Sequence, residues 1–122
     1  SMVHRYDKGL AENIHILSGH IHQIAREKSA GKEWSARLMK GADQEELLLW
    51  LLALKNEARG NPSGYRRNIL GLCRSEEIRN LVKRTEITVN QPANKLLYLV
   101  MKHPGEVTVR LLRLAMIWYY RS

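Results

Sequence analysis

Asn94-Lys-Leu-Leu-Tyr-Leu-Val-Met-Lys-His-Pro-Gly-Glu-Val-Thr-Val-Arg-Leu-Leu-Arg-Leu-Ala-Met-Ile-Trp-Tyr-Tyr-Arg121 is the stretch whose reading decides the fold. Leu96, Leu97, Val100 and Met101 repeat at helical spacing. Lys102-His103-Pro104-Gly105 then stops the helix, because proline disfavours a helical residue before it and cannot supply the next N–H. A second apolar helix follows, with Leu111, Leu114, Ala115 and Trp118 aligned at i, i+3, i+4 and i+7. That alignment places Trp118 in the core. Two apolar helices meeting across a basic corner imply a small helical module.

The same signals extend upstream. Leu10, Ile14, Leu17, Ile21 and Ile24 form one stripe of a helix running to about Lys28, which the loop Ser29-Ala30-Gly31 ends. Glu33 to Lys40 forms a short helix with Trp34 and Leu38 on one face, closed by Gly41. Asp43 caps the next, with Glu45 and Glu46 near its positive end. Leu47 to Leu54 is apolar on every face, which marks a central helix covered on several sides. Asn61-Pro62-Ser63-Gly64 is a turn. Tyr65 to Arg74 carries Ile69, Leu70 and Leu72. Ser75 caps another helix, with Ile78, Leu81 and Val82 facing inward. Glu86 to Asn90 alternates like a strand but has no partner strand, so an extended link is expected. Asn90 can cap the helix that follows, and Pro92 suits its first turn. The expectation is an all-α, compact bundle of five to seven short helices. Ser1-Met2 reads as a scar of tag removal, leaving 3–122 as a single helical domain.

Composition sets limits on function. With 122 residues, 44% apolar and 26% charged, the chain has material for one self-sufficient core. Its longest apolar run has eight residues, Leu47 to Leu54, far short of a bilayer span, so no membrane partner is expected. The single cysteine, Cys73, excludes an internal disulfide and fits a small core residue in a reducing compartment, nuclear or cytoplasmic. The net charge of +8 is uneven: residues 1–61 hold nine Lys/Arg against eight Asp/Glu, and residues 62–122 hold eleven against four. Such a basic half favours an acidic partner, whether nucleic acid, an acidic disordered peptide or an anionic surface, or else serves only solubility.

No catalytic or cofactor motif is present. Glu45-Glu46 and Glu76-Glu77 are adjacent pairs that diverge by about 100° on a helix, so neither converges on one atom. Gly60, Gly64 and Gly71 lack the Gly-Lys-Ser/Thr of a phosphate loop. His15 and His22 share a face but lie about 10.5 Å apart along the axis, and His20 diverges from both, so these three do not hold one metal. The expectation is a non-enzyme without metal or cofactor. For nucleic-acid binding the candidates are Arg66, Arg67, Arg74, Arg79 and Lys83, with Arg110 and Arg113 adding an i, i+3 pair. A third possibility is a subunit of a larger helical assembly, whose exposed apolar surface is covered only in the complex.

Residues 80–121 resemble the second half of the N-terminal domain of transcription elongation factor S-II, the LW domain. The matching residues are Leu81, Val82, Thr85 and Ile87; Leu97, Tyr98 and Leu99; Lys102, His103 and Pro104; and Leu111, Leu114, Ala115 and Trp118. Leu47 to Leu54 resembles the family's Leu-rich helix, and Leu10 to Ala25 is similar to the first helix of the related integrase-binding domain. The chain departs in having Thr88 where the family has Gly, and in the 18 residues Glu57 to Arg74 between the shared helices. The resemblance implies a non-catalytic scaffold of the transcription elongation machinery that binds short motifs in disordered partners. Its binding end would be the Lys102 to Val107 corner and the Ser29 to Trp34 loop. There a partner aromatic would lodge near Trp34 and Pro104, Val107 would contact the partner at the same corner, and Lys102, His103 and flanking arginines would attract acidic residues.

Overall fold

The computed structural model describes residues 5–29, 35–86 and 91–120, with Ser29, Ser35 and Ala36 described by backbone alone. Among these, six helices run in order: α1 (Leu10–Ser29), α2 (Ser35–Gly60), α3 (Tyr65–Arg74), α4 (Glu76–Arg84), α5 (Pro92–Lys102) and α6 (Glu106–Tyr120). The expected all-α bundle is what forms. Trp34 and residues 87–90, the expected extended link with its cap Asn90, lie outside the described residues.

α2 is the axle of the fold. It packs against each of the other five helices, while α1 packs chiefly against α2 and reaches α4 through the His15–Glu77 pair. Leu47, Trp50, Leu51, Ala53 and Leu54 are all buried, as an all-round apolar helix requires. One expectation is overturned here: α2 runs unbroken from Ser35 through Gly41 to Gly60. Gly41 therefore closes no helix, and Asp43 caps none. A glycine costs a helix interior about 1 kcal/mol, which the packing of a long apolar helix outweighs.

The shorter helices follow their local chemistry. The Ser75 Oγ accepts the Ile78 N–H at 3.3 Å, capping α4. Pro92 takes the first turn of α5, with Gln91 as the cap. Buried side chains fasten the turns. The Glu57 carboxylate accepts hydrogen bonds from Tyr6 at 2.7 Å, Asn61 at 2.8 Å and Asn68 at 3.1 Å. The Asn56 amide pairs in both directions with the Asp7 backbone, tying the N-terminal segment to α2.

α6 differs from expectation in its rotation. Its buried face is Val109, Leu112 and Met116, while Leu111, Leu114 and Trp118 are exposed. Trp118 is therefore a surface residue. Arg113 fixes this orientation: it donates to the Ala58 carbonyl at 2.7 Å, at the end of α2, and stacks on Tyr65. In α1 the stripe is likewise turned. Ile14, Ser18 and Ala25 are buried, and Leu17 and Ile24 face outward. Its buried line thus passes through the small Ser18 and Ala25, beside the larger Leu17 and Ile24.

Candidate functional site

The apolar row on α6 is the most distinctive surface. Val107 (68% exposed), Leu111 (59%), Leu114 (66%) and Trp118 (65%) stand in register on the side opposite the buried face. At 1.5 Å per residue the row is about 16 Å long. Large exposed apolar side chains contiguous on one helix make this face a candidate docking surface.

Beside this row lies a basic groove between α3 and α6. It has a volume of about 700 Å³, and Arg66, Arg67, Arg74 and Arg110 line it over a floor of Leu70 and Gly71. Glu106 offers the only acidic group there, 3.9 Å from Arg66. Arg110 belongs to both features, since it is the i+3 neighbour of Val107 and the i−4 neighbour of Leu114. Apolar contact and positive charge thus meet along one edge of α6.

The structure sorts the basic residues singled out in the sequence. Arg66, Arg67 and Arg74 come together as expected, and Arg110 joins them. Arg79 is engaged elsewhere: its guanidinium donates to the Met101 and Lys102 carbonyls at 3.1 and 3.2 Å, closing the end of α5. It is a structural arginine, as Arg113 is. Lys83 is exposed on α4 and does not line the groove.

At the α5–α6 corner, Lys102 and His103 are exposed and Pro104 is half-buried. The Lys102 ammonium lies 5.6 Å from the Tyr98 ring centre. The Thr108 hydroxyl donates to the Gly105 carbonyl at 2.9 Å and sets the start of α6. Val107 begins the apolar row, so the corner and the row are continuous.

The three histidines separate. The exposed His15 pairs with Glu77 at 2.7 Å, a hydrogen bond that raises its imidazole above the usual value. His20 is exposed. His22 packs into the α1–α2 interface, 2.9 Å from Asp43 and 3.3 Å from Glu46. Burial lowers the His22 imidazole, but its hydrogen bonds to Asp43 and the Ser18 carbonyl and the nearby Glu46 charge carry it above the usual value. Burial likewise pushes the Glu46 carboxyl up, against the pull of His22, the Trp50 indole N–H and Arg84. Glu46 is therefore a buried ionic group in mid-helix, not a helix-end dipole partner.

An apolar groove of about 770 Å³ between α1 and the first half of α2 completes the surface, lined by Ile21, Ile24, Leu38 and Ala42. Cys73 is buried, and that burial pushes its thiol up to about 12, which removes it as a nucleophile. No helix among the described residues is long and apolar enough to cross a membrane.

The fold is thus that of a small all-α bundle. Compared with protein-family models, with curated proteins and with solved structures, the chain matches none.

Proposed function

We propose that this chain is a non-catalytic protein-interaction module whose docking surface is the outer face of α6. The observation that carries the reading is the row Val107, Leu111, Leu114 and Trp118, exposed on a helix whose other side completes the core. The partner is an amphipathic segment, disordered when free, with apolar or aromatic residues on one face and carboxylates on another. Its apolar face packs on the row, and its carboxylates reach the Arg66, Arg67, Arg74 and Arg110 groove. Lys102 extends the positive rim at the start of the row, with the exposed His103 beside it. The resemblance to the elongation factor S-II domain leads to the same class of function. It adds a setting, the transcription elongation machinery.

The arginine groove supports a second reading, in which the same guanidiniums contact nucleic-acid phosphate. One experiment separates the two. A labelled acidic amphipathic peptide and a random-sequence duplex are each titrated by fluorescence anisotropy against wild type, Leu114→Asp and Arg67→Glu/Arg74→Glu. Peptide docking predicts at least ~10-fold weaker peptide binding for Leu114→Asp, the size of one lost apolar contact plus a repelled charge. The phosphate reading predicts duplex binding that ignores Leu114→Asp, fails with the arginine variant, and falls steeply between about 50 and 200 mM salt.

A further inference from the structure

The geometry points to a divalent transition-metal site formed by His22, Asp43 and Glu46 at the α1–α2 interface. The His22 Nε2 lies 2.9 Å from the Asp43 Oδ1 and 3.3 Å from the Glu46 Oε2. All three donor atoms fall within 4.8 Å of one another. A tetrahedral ion with bonds of 2.0–2.1 Å separates neighbouring ligand atoms by about 3.3 Å, so small side-chain movements suffice. Asp43 and Glu46 stand at i, i+3 and share a face of α2, turned toward His22 on α1.

Two further features suit a metal as well as they suit the ion pair. The His22 Nδ1 lies 3.0 Å from the Ser18 carbonyl, to which its N–H donates. In the neutral ring that bond leaves the lone pair on Nε2, the arrangement a second-shell carbonyl gives a metal-bound histidine. The Glu46 Oε2 is buried without a hydrogen bond of good geometry: its neighbours are the ionic His22 and Arg84 and the Trp50 indole N–H, which is itself left unpaired. A carboxylate oxygen buried in that state is costly, and a bound cation would satisfy it.

The donor set is one imidazole and two carboxylates, which suits Zn²⁺ and neighbouring first-row ions. A cleft of about 280 Å³, lined by Ser18, His22, Arg26, Glu46, Glu77 and Arg84, opens beside it and has room for water as a fourth ligand. Arg84 is the resident counter-charge, 3.3 Å from Asp43 and 3.7 Å from Glu46. Its side chain is 44% exposed, so it can swing into solvent as the metal enters. Because α1 is held to the bundle chiefly through α2, a metal here would staple it more firmly.

The test is calorimetric titration of Zn²⁺ into the full chain at neutral pH, with thermal unfolding followed in parallel. The expected result is one ion per chain at micromolar affinity or tighter, with a rise in Tm. His22→Ala and Asp43→Asn each weaken binding at least ~10-fold. His20→Ala leaves it unchanged, and Arg84→Ala tightens it by removing the competing cation. Circular dichroism establishes that each variant is folded; Asp43→Asn alone decides the matter if His22→Ala is not. Absence of one-to-one binding in both wild type and Arg84→Ala overturns the site. So does binding that survives both His22→Ala and Asp43→Asn.

Discussion

Leu111 and Leu112 are neighbours in sequence, and the orientation of α6 gives them opposite fates. Leu112 is fully buried, while Leu111 is 59% exposed. Truncating a buried leucine to alanine loses its transfer free energy and leaves a cavity, about 3 kcal/mol within a range of 2–5. Unfolding entropy of about 2.1 cal/mol/K per residue amounts to ~0.26 kcal/mol/K for 122 residues. Leu112→Ala should therefore lower Tm by about 12 °C. Leu111→Ala removes side chain from a solvated face and should change stability by no more than about 0.5 kcal/mol, or about 2 °C. Urea and thermal unfolding by circular dichroism measure both. Equal losses, or a larger loss at Leu111, would mean that α6 is rotated and that the apolar row is core.

Other outcomes follow from the same structure. Gly41→Ala should stabilise the chain by about 0.5–1 kcal/mol in thermal unfolding, because Gly41 sits inside α2 with nothing within 4 Å of a new Cβ. Cys73, with its thiol pushed up to about 12, should stay unmodified by a disulfide reagent at pH 8 in the native protein and react once urea unfolds it. NMR titration should place the His15 imidazole above its ordinary value, and Glu77→Gln should bring it back down. The sign is that of a raised group: the His15–Glu77 contribution is complete below the unfolded value and is lost as pH rises through the folded one.

The helices were legible because local chemistry specifies them. The Tyr65 to Arg74 helix, the Ser75 cap, the His-Pro-Gly corner and the central Leu47 to Leu54 segment all stand as the residue pattern implies. The faces were less legible. Leu111-Leu114-Ala115-Trp118 and Val109-Leu112-Met116 both fit a helical stripe, and periodicity cannot choose between two apolar sides. The Arg113 bond to Ala58 across the fold makes the choice. In α1, Ser18 and Ala25 carry little hydrophobic signal, yet they are buried. Gly41 was misleading because propensity is a weak prior inside a long packed helix.

Site residues divide the same way. Arg66, Arg67 and Arg74 were visible as one cluster, because they belong to one helix. Arg110 joins them only through tertiary packing, and Arg79 leaves them to close α5. His22 finds Asp43 and Glu46 on the next helix, 21 and 24 positions away, beyond the reach of any local spacing rule. The Asp43 and Glu46 pair at i, i+3 was the one available signal. Trp34, expected at the partner-binding end, lies outside the described residues.

The most direct test of the docking surface is an NMR titration of isotope-labelled protein with the acidic amphipathic peptide. The account predicts saturable shifts confined to Val107, Leu111, Leu114, Trp118 and the neighbouring Arg110, extending to Arg66, Arg67 and Arg74. Shifts gathered instead along Ile21, Ile24 and Ala42, or no shifts at millimolar peptide, would contradict it.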